Sequence, residues 1–203
     1  MDLLNALVLY DESLPAPSVS EIIIWTAVIL VVSNIIFIVL CTLVGINPNQ
    51  ALDDEKEKEY QKWYKNNVSP FIVGLGEVLG STIYSPIAEE LTFRFLLLKL
   101  ICIRKLNMNF WAANMLQATV FGFMHVSNVS FTTQTKKYTA LQSISAAISG
   151  AVSGFAYKQC NSILPSLLAH MSNNGAASIS EFFGYISYKN RALARPITPA
   201  SDK

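Results

Sequence analysis

The chain has 203 residues, 52% of them hydrophobic and only 14% charged, with a mean hydropathy of +0.37. Soluble domains average about a quarter charged residues, so this deficit points to an integral membrane protein, and the length suits one compact bundle of membrane helices. The net charge of +1 carries no message, and with no basic stripe carrying interleaved aromatics nothing points to a nucleic-acid partner.

In chain order, the first clear element is residues 22–44, IIIWTAVILVVSNIIFIVLCTLV, which hold no charge. The run is long enough to cross a hydrocarbon core of roughly 30 Å as a helix. No Lys or Arg precedes it and no small-x-small site follows, which favours a membrane anchor over a cleaved leader. The polar stretch after it alternates Glu and Lys from Glu55 to Lys62 behind an Asp53–Asp54 start. It reads as a charged connector or a surface helix. Four apolar segments follow, near 71–101, 109–126, 139–158 and 163–187, separated by short polar joints. Pro86 is expected to kink or start a helix and to break the first of them around Ser85–Pro86. Pro165 suits the first turn of the last.

Gly150–Gly154 forms a GxxxG pair beside an Ala147–Ala151 row. Such spacing lets helices approach closely, and packing inside one bundle is the expectation over a dimer face. Five spans with the amino terminus outside place ten Lys and Arg on the cytoplasmic side and four on the other, in keeping with the positive-inside tendency. The sequons at Asn67 and Asn128 then fall in or near cytoplasmic joints. Cys41, Cys102 and Cys160 lack any CxxC or Cys/His ligand spacing and read as free thiols. The expected fold is all-α: a polytopic membrane bundle of about five transmembrane helices. Its parts are an anchor and connector (1–70), a core (71–187) and a polar tail (188–203).

Apart from Lys99 and Lys158 near segment ends, the charged residues and histidines within the apolar segments are Glu77, Glu89, Glu90, Arg94, His125, His170 and Glu181. Insertion scales put a central Asp, Lys or Arg at about +2.5 to +3.5 kcal/mol, so such groups face a bundle interior, pair there and mark function. Glu90 and Arg94 stand i,i+4 with the acid first, the favourable order for an intrahelical ion pair. Glu89 points about 100° away and has no base at i+3 or i+4, so it needs a proton, a partner from another helix, a metal or a polarised water. His170 and Asn174 share one helix face and can jointly donate to one oxygen, or simply hydrogen-bond within the bundle. Glu89, His125 and His170 also make a His₂Glu set of the kind that binds zinc, although no HExxH is present. Zinc or no cofactor therefore stay open, and no GxSxG elbow offers a serine nucleophile.

Three motifs stand in order: Glu89-Glu90-Leu-Thr-Phe-Arg94, Phe121-Gly-Phe-Met-His125 and His170-Met-Ser-Asn-Asn174. With the flanks SPIAEELTFR and GFAYKQCNSILPSLLAHMSNN, the stretch from 84 to about 180 resembles the CAAX-processing and bacteriocin-processing (CPBP or Abi) intramembrane proteases. The resemblance implies an endopeptidase acting on a peptide or prenylated protein tail presented at the bilayer. Glu89 would act with His125 to activate water, His170 and Asn174 would steady the oxyanion, and Glu90, Arg94 and Phe121 would support the site. Members are described both as metalloproteases and as metal-independent glutamate proteases. The chain departs from long prenyl-protease members in offering one span before the motif helices, and in carrying Phe95 where many relatives have a small residue. A membrane scaffold or immunity-type protein, and a small transporter, are the competing classes; no inverted repeat supports the last.

Overall fold

A computed structural model describes residues 8–11, 13–46, 69–128 and 134–194, and all its regular elements are helical. The charged connector from Glu55 to Lys62 and the sequon at Asn67 lie outside the described residues, as do the side chains of Glu77 and Glu181.

Helix α1 (Val19–Val44) begins where Ser18 and Glu21 cap each other, the Ser18 hydroxyl accepting Glu21 N–H and the Glu21 carboxylate accepting Ser18 N–H. It ends at Gly45, whose left-handed φ of 66° turns its N–H back onto the last carbonyls. The first core segment is four consecutive pieces: α2 (Pro70–Gly76), π1 (Glu77–Tyr84), α3 (Ser85–Glu90) and π2 (Leu91–Lys105). In π1 and π2 the backbone is wound in wider i→i+5 turns, as Leu106 N–H to Ile101 O illustrates at the exit of π2.

The break expected near Pro86 is absent. Tyr84, Ser85, Glu90 and Leu91 all keep right-handed helical angles, so the spiral continues through the proline. Proline lacks an N–H and its ring crowds the preceding turn; the wide turn of π1 just before it accommodates both, and Pro86 opens the α3 register.

After a left-handed Asn107, α4 (Phe110–Met124) starts on an Asn109 cap, and a 3₁₀ turn, His125–Ser127, follows it. α5 (Lys136–Gln159) starts on a Thr135 cap. A tight turn with left-handed Asn161 leads into α6 (Leu164–Ala194), where Pro165 occupies the first turn. The five expected segments thus all appear as helix, and α6 runs past residue 187 into what reads from composition as a tail.

The most intimate packing is α4 on α5, and small residues allow it. A Cβ added at Gly154 would overlap the Asn114 amide, one at Gly122 would come within 2.6 Å of Ala147 Cβ, and one at Gly150 would press on Phe121. The GxxxG pair therefore serves packing inside the bundle. α1 lies across α5 and α6, α6 packs on π1, and π2 packs on α4.

The exterior is apolar and part of the interior is polar. Leu43, Phe71 and Phe123 are 77%, 76% and 72% exposed, whereas Glu90, Arg94, Lys99, Asn114 and Gln117 are buried. Among the described residues α1 is the one helix long and apolar enough to cross a membrane on composition alone. α4 is only 15 residues long, and α5 spends its inner face on Thr, Ser and Gly.

Residues 8–11 and 13–15 form a strap that composition does not reveal. Leu9 bridges to Ser162, and its carbonyl accepts from Lys99 Nζ (2.5 Å) and Tyr157 OH (3.1 Å). Asn161 Nδ2 donates to Asp11 O and Pro15 O, and Asn161 Oδ1 accepts Asp11 N–H at 2.7 Å. The amino-terminal segment thus docks at the end of the bundle that carries the α5–α6 turn, while Lys137 Nζ reaches Val44 O at the other end. Cys41, Cys102 and Cys160 are buried free thiols.

Candidate active site

Glu89 and Glu90 close α3, and Arg94 lies in the first turn of π2. Glu90 Oε2 and Arg94 Nε are 3.1 Å apart with both side chains almost fully buried, at 2% and 1% exposure. The Nε–H is not aimed at that oxygen, so the contact is an ion pair in touch rather than a hydrogen bond. Arg94 also donates from Nη1 to Gln117 Oε1 at 3.4 Å, and its guanidinium lies 4.9 Å from the centre of the Phe121 ring. Gln117 is fixed in turn by Asn114 Oδ1 (2.8 Å) and Gly150 O (2.9 Å), and Asn114 donates to Ala151 O. The charge is thereby tied through α4 to the backbone of α5.

His170 stands between the two glutamates. Its Nδ1 is 3.1 Å from Glu90 Oε1, and a carboxylate only accepts, so Nδ1–H donates there. Its Nε2 lies 3.7 Å from Glu89 Oε2. The other Glu89 oxygen takes the Ser85 hydroxyl at 2.5 Å, a bond within one helical turn. Just past the end of α4, His125 Nδ1 is 2.9 Å from Phe121 O; a carbonyl cannot donate, so Nδ1 carries the hydrogen and Nε2 is the acceptor nitrogen of the neutral ring. Phe121 meets His125, His170 and Phe93 edge-on at centroid distances of 4.8, 6.0 and 4.9 Å. Asn174 Nδ2 donates one hydrogen to Ser81 O at 2.9 Å, which leaves its second amide hydrogen.

These side chains surround a cavity of about 300 Å³ whose wall includes Glu90, Arg94, Phe121, His125, His170 and Asn174. Glu89 is not part of that wall; it is 30% exposed and touches the cavity set through His170. Two expectations change accordingly. The resemblance partners Glu89 with His125, whereas the imidazole in contact with Glu89 is that of His170. It also aims His170 and Asn174 at one oxygen, whereas both ring nitrogens of His170 face carboxylates.

Residues 70–176, more than half of the chain, match the model of the Rce1-like type II CAAX prenyl endopeptidases. The chain belongs to that family. No curated protein and no solved structure matches it. The Rce1-like family is membrane-integral and proteolytic, and the matched stretch contains all of Glu89, Glu90, Arg94, Phe121, His125, His170 and Asn174. α1 lies before it.

The zinc set considered for this Rce1-like chain, Glu89, His125 and His170, is not gathered at one point. Among the described residues no three His, Cys, Asp or Glu side chains are placed to hold one metal ion. His125 holds Nδ1 on Phe121 O and keeps Nε2, and His170 Nε2 lies 3.7 Å from Glu89 Oε2; with the three groups not gathered, no step is derived through a metal. Composition also leaves out the uncharged half of the network. Asn114 and Gln117, i,i+3 in the apolar stretch FWAANMLQ, are fully buried polar side chains, and Ser85 sits four residues before Glu89. A search for buried amides and hydroxyls, not only charges, would have found them.

Proposed function

We propose that this Rce1-like chain is a multi-pass intramembrane endopeptidase that cleaves a peptide or a prenylated protein tail at the bilayer, using Glu89 and His170 to activate water. The observation that carries the reading is the Glu89–His170 contact beside a polar cavity lined by His125 and Asn174, inside the stretch shared with the family. The inverted surface supports five crossings: apolar side chains cover the outside, and an ion pair and buried amides fill the interior. The Lys and Arg bias of the joints supports an amino terminus outside and a carboxyl terminus inside.

In this mechanism a water at the Glu89–His170 pair loses a proton to Glu89 as its oxygen attacks the scissile carbonyl carbon. Glu89, Glu90 and Arg94 carry one net negative charge between them, and the proton taken up at the pair cancels it. The second Asn174 amide hydrogen donates to the oxyanion, with the other held by Ser81 O so that the amide plane is fixed. As the C–N bond breaks, Glu89 returns that proton to the leaving amine nitrogen, and His125 Nε2, the acceptor nitrogen of its ring, takes a hydrogen bond from the amine N–H. Ser85 fixes the Glu89 carboxylate, and Glu90 holds His170 in one tautomer.

The decisive experiment compares Glu89→Gln with wild type in proteoliposomes on an internally quenched, prenylated CAAX peptide. Glu89→Gln keeps the shape and the Ser85 contact but cannot take a proton, so turnover should fall by about 10²–10⁴-fold with insertion intact. Wild-type turnover in that variant defeats the assignment.

A further inference from the structure

One face of α5 runs along the cavity. Tyr138, Gln142, Ser145, Ser149 and Ser153 all line it, and they recur every three or four residues. Gln142 is partly exposed, while Leu141 and Ser143 on either side of it are buried. Ile144, about 200° further round the helix, is 50% exposed and takes the outer side. The opening at Gln142 therefore faces the cavity and not the bundle exterior.

The carboxamide of Gln142 is held by its oxygen. Asn128 Nδ2 donates to Gln142 Oε1 at 3.0 Å, from just past the 3₁₀ turn that carries His125, and that turn packs on α5. A carboxamide is planar, so fixing the oxygen fixes the plane and leaves both hydrogens of Nε2. Nε2 donates to no described residue. Nor is it sealed in: among the described residues, the enclosed side-chain polar atoms without a hydrogen bond are Ser33 Oγ, Glu90 Oε2 and Arg94 Nε. The fold thus leaves a reachable amide donor on the cavity wall, at the end where His125 stands.

We infer that Gln142 is a substrate-binding residue whose Nε2 donates to a main-chain carbonyl of the departing, carboxyl-terminal fragment. This rests on the endopeptidase reading. With its oxygen engaged, the amide can only donate, so it fits a C=O and not an N–H. His125 Nε2, on the adjoining turn, is an acceptor and fits the N–H of the leaving amine. The two residues offer one acceptor and one donor to the same side of the scissile bond, where the main chain presents an N–H and then a C=O. Every substrate sequence has both groups, so the contact holds the fragment without reading its side chains.

The test uses full-length protein in proteoliposomes and the internally quenched prenylated CAAX peptide, with Gln142→Met and Gln142→Ala. Methionine keeps the length without a donor, and alanine removes the side chain. Both should raise KM roughly three- to tenfold with kcat little changed. Kd is then measured in the Glu89→Gln background, which makes binding independent of turnover. Two further peptides carry an ester in place of one or the other amide beyond the scissile bond, because an ester carbonyl is the weaker acceptor. At one of the two positions the ester should raise Kd roughly three- to tenfold where Gln142 is present and hardly at all in either variant. The N–H that an ester also lacks is missing in every protein compared, so it cancels. Esters that weaken binding equally with and without Gln142 overturn the inference, as does an unchanged Kd in the folded variants. If Glu89→Gln is inactive while the Gln142 variants bind normally, only this inference falls. If wild type neither cleaves nor binds the peptide, the endopeptidase reading falls and takes the inference with it.

Discussion

Glu90 Oε1 accepts a hydrogen bond from His170 Nδ1 at 3.1 Å, while its other oxygen touches Arg94 within the same helical stretch. One buried carboxylate thus serves a charge on its own helix and an imidazole from α6, 80 residues away. Breaking a buried pair from one side leaves an unpaired charge, at a cost of about 3–5 kcal/mol. Glu90→Leu and Arg94→Met should each destabilise the bundle by that order. The double variant should recover part of the loss, because it removes both charges yet strands the His170 N–H. Detergent-titration unfolding of the four proteins checks this; additive losses would mean that the two charges are not coupled.

Much of this arrangement is legible in composition and spacing, for definite reasons. The five helical segments follow from runs of apolar residues, and polar joints end them where the chain turns. The Glu90–Arg94 pair follows from i,i+4 geometry alone. The partner of Glu89 does not, because it depends on how α6 is set against α3, and both histidines satisfy the motif equally. The strap before α1 is also hidden: its bonds run mainly through backbone groups, which carry no sequence signature. Pro86 misleads because a widened turn lets a helix absorb a proline that would otherwise break it.

Asn174 tests the oxyanion role separately from the base. Asn174→Ala removes the free amide hydrogen and should lower kcat by about 10²–10³-fold with little change in KM. It also removes the bond to Ser81 O, so melting should move by about 0.5–1.5 kcal/mol. A loss of stability with kcat intact would make Asn174 a purely structural link between α6 and π1.

The α4–α5 contact predicts a severe steric effect from a small change. A Cβ at Gly154 would strike Asn114, which holds Gln117 and through it Arg94. Gly154→Val should therefore cost at least the about 1–3 kcal/mol typical of overpacking, and it should impair turnover by displacing Arg94. Gly76→Val, at a glycine with open space around it, is the control. Equal melting of the two variants would show that the close approach is not required.

The strap gives a pH signature outside the bundle. The Ser13 hydroxyl and then the Ser13 backbone N–H both donate to Asp11, and together they hold its carboxyl below the usual aspartate range. A depressed folded-state value means that the stabilisation is complete above the ordinary aspartate value of about 3.9 and is lost as the pH falls through the lowered one. Carbon-13 titration of the Asp11 carboxyl should report that lowered midpoint, and Ser13→Ala should return it towards the ordinary value. Asn161→Ala, which removes the amide bonds to Asp11 and Pro15, should leave the midpoint low while making the segment before α1 more susceptible to protease. Those two outcomes separate the local Asp11–Ser13 turn from the docking of the strap, and an Asp11 midpoint unmoved by Ser13→Ala would rule out the turn as its cause.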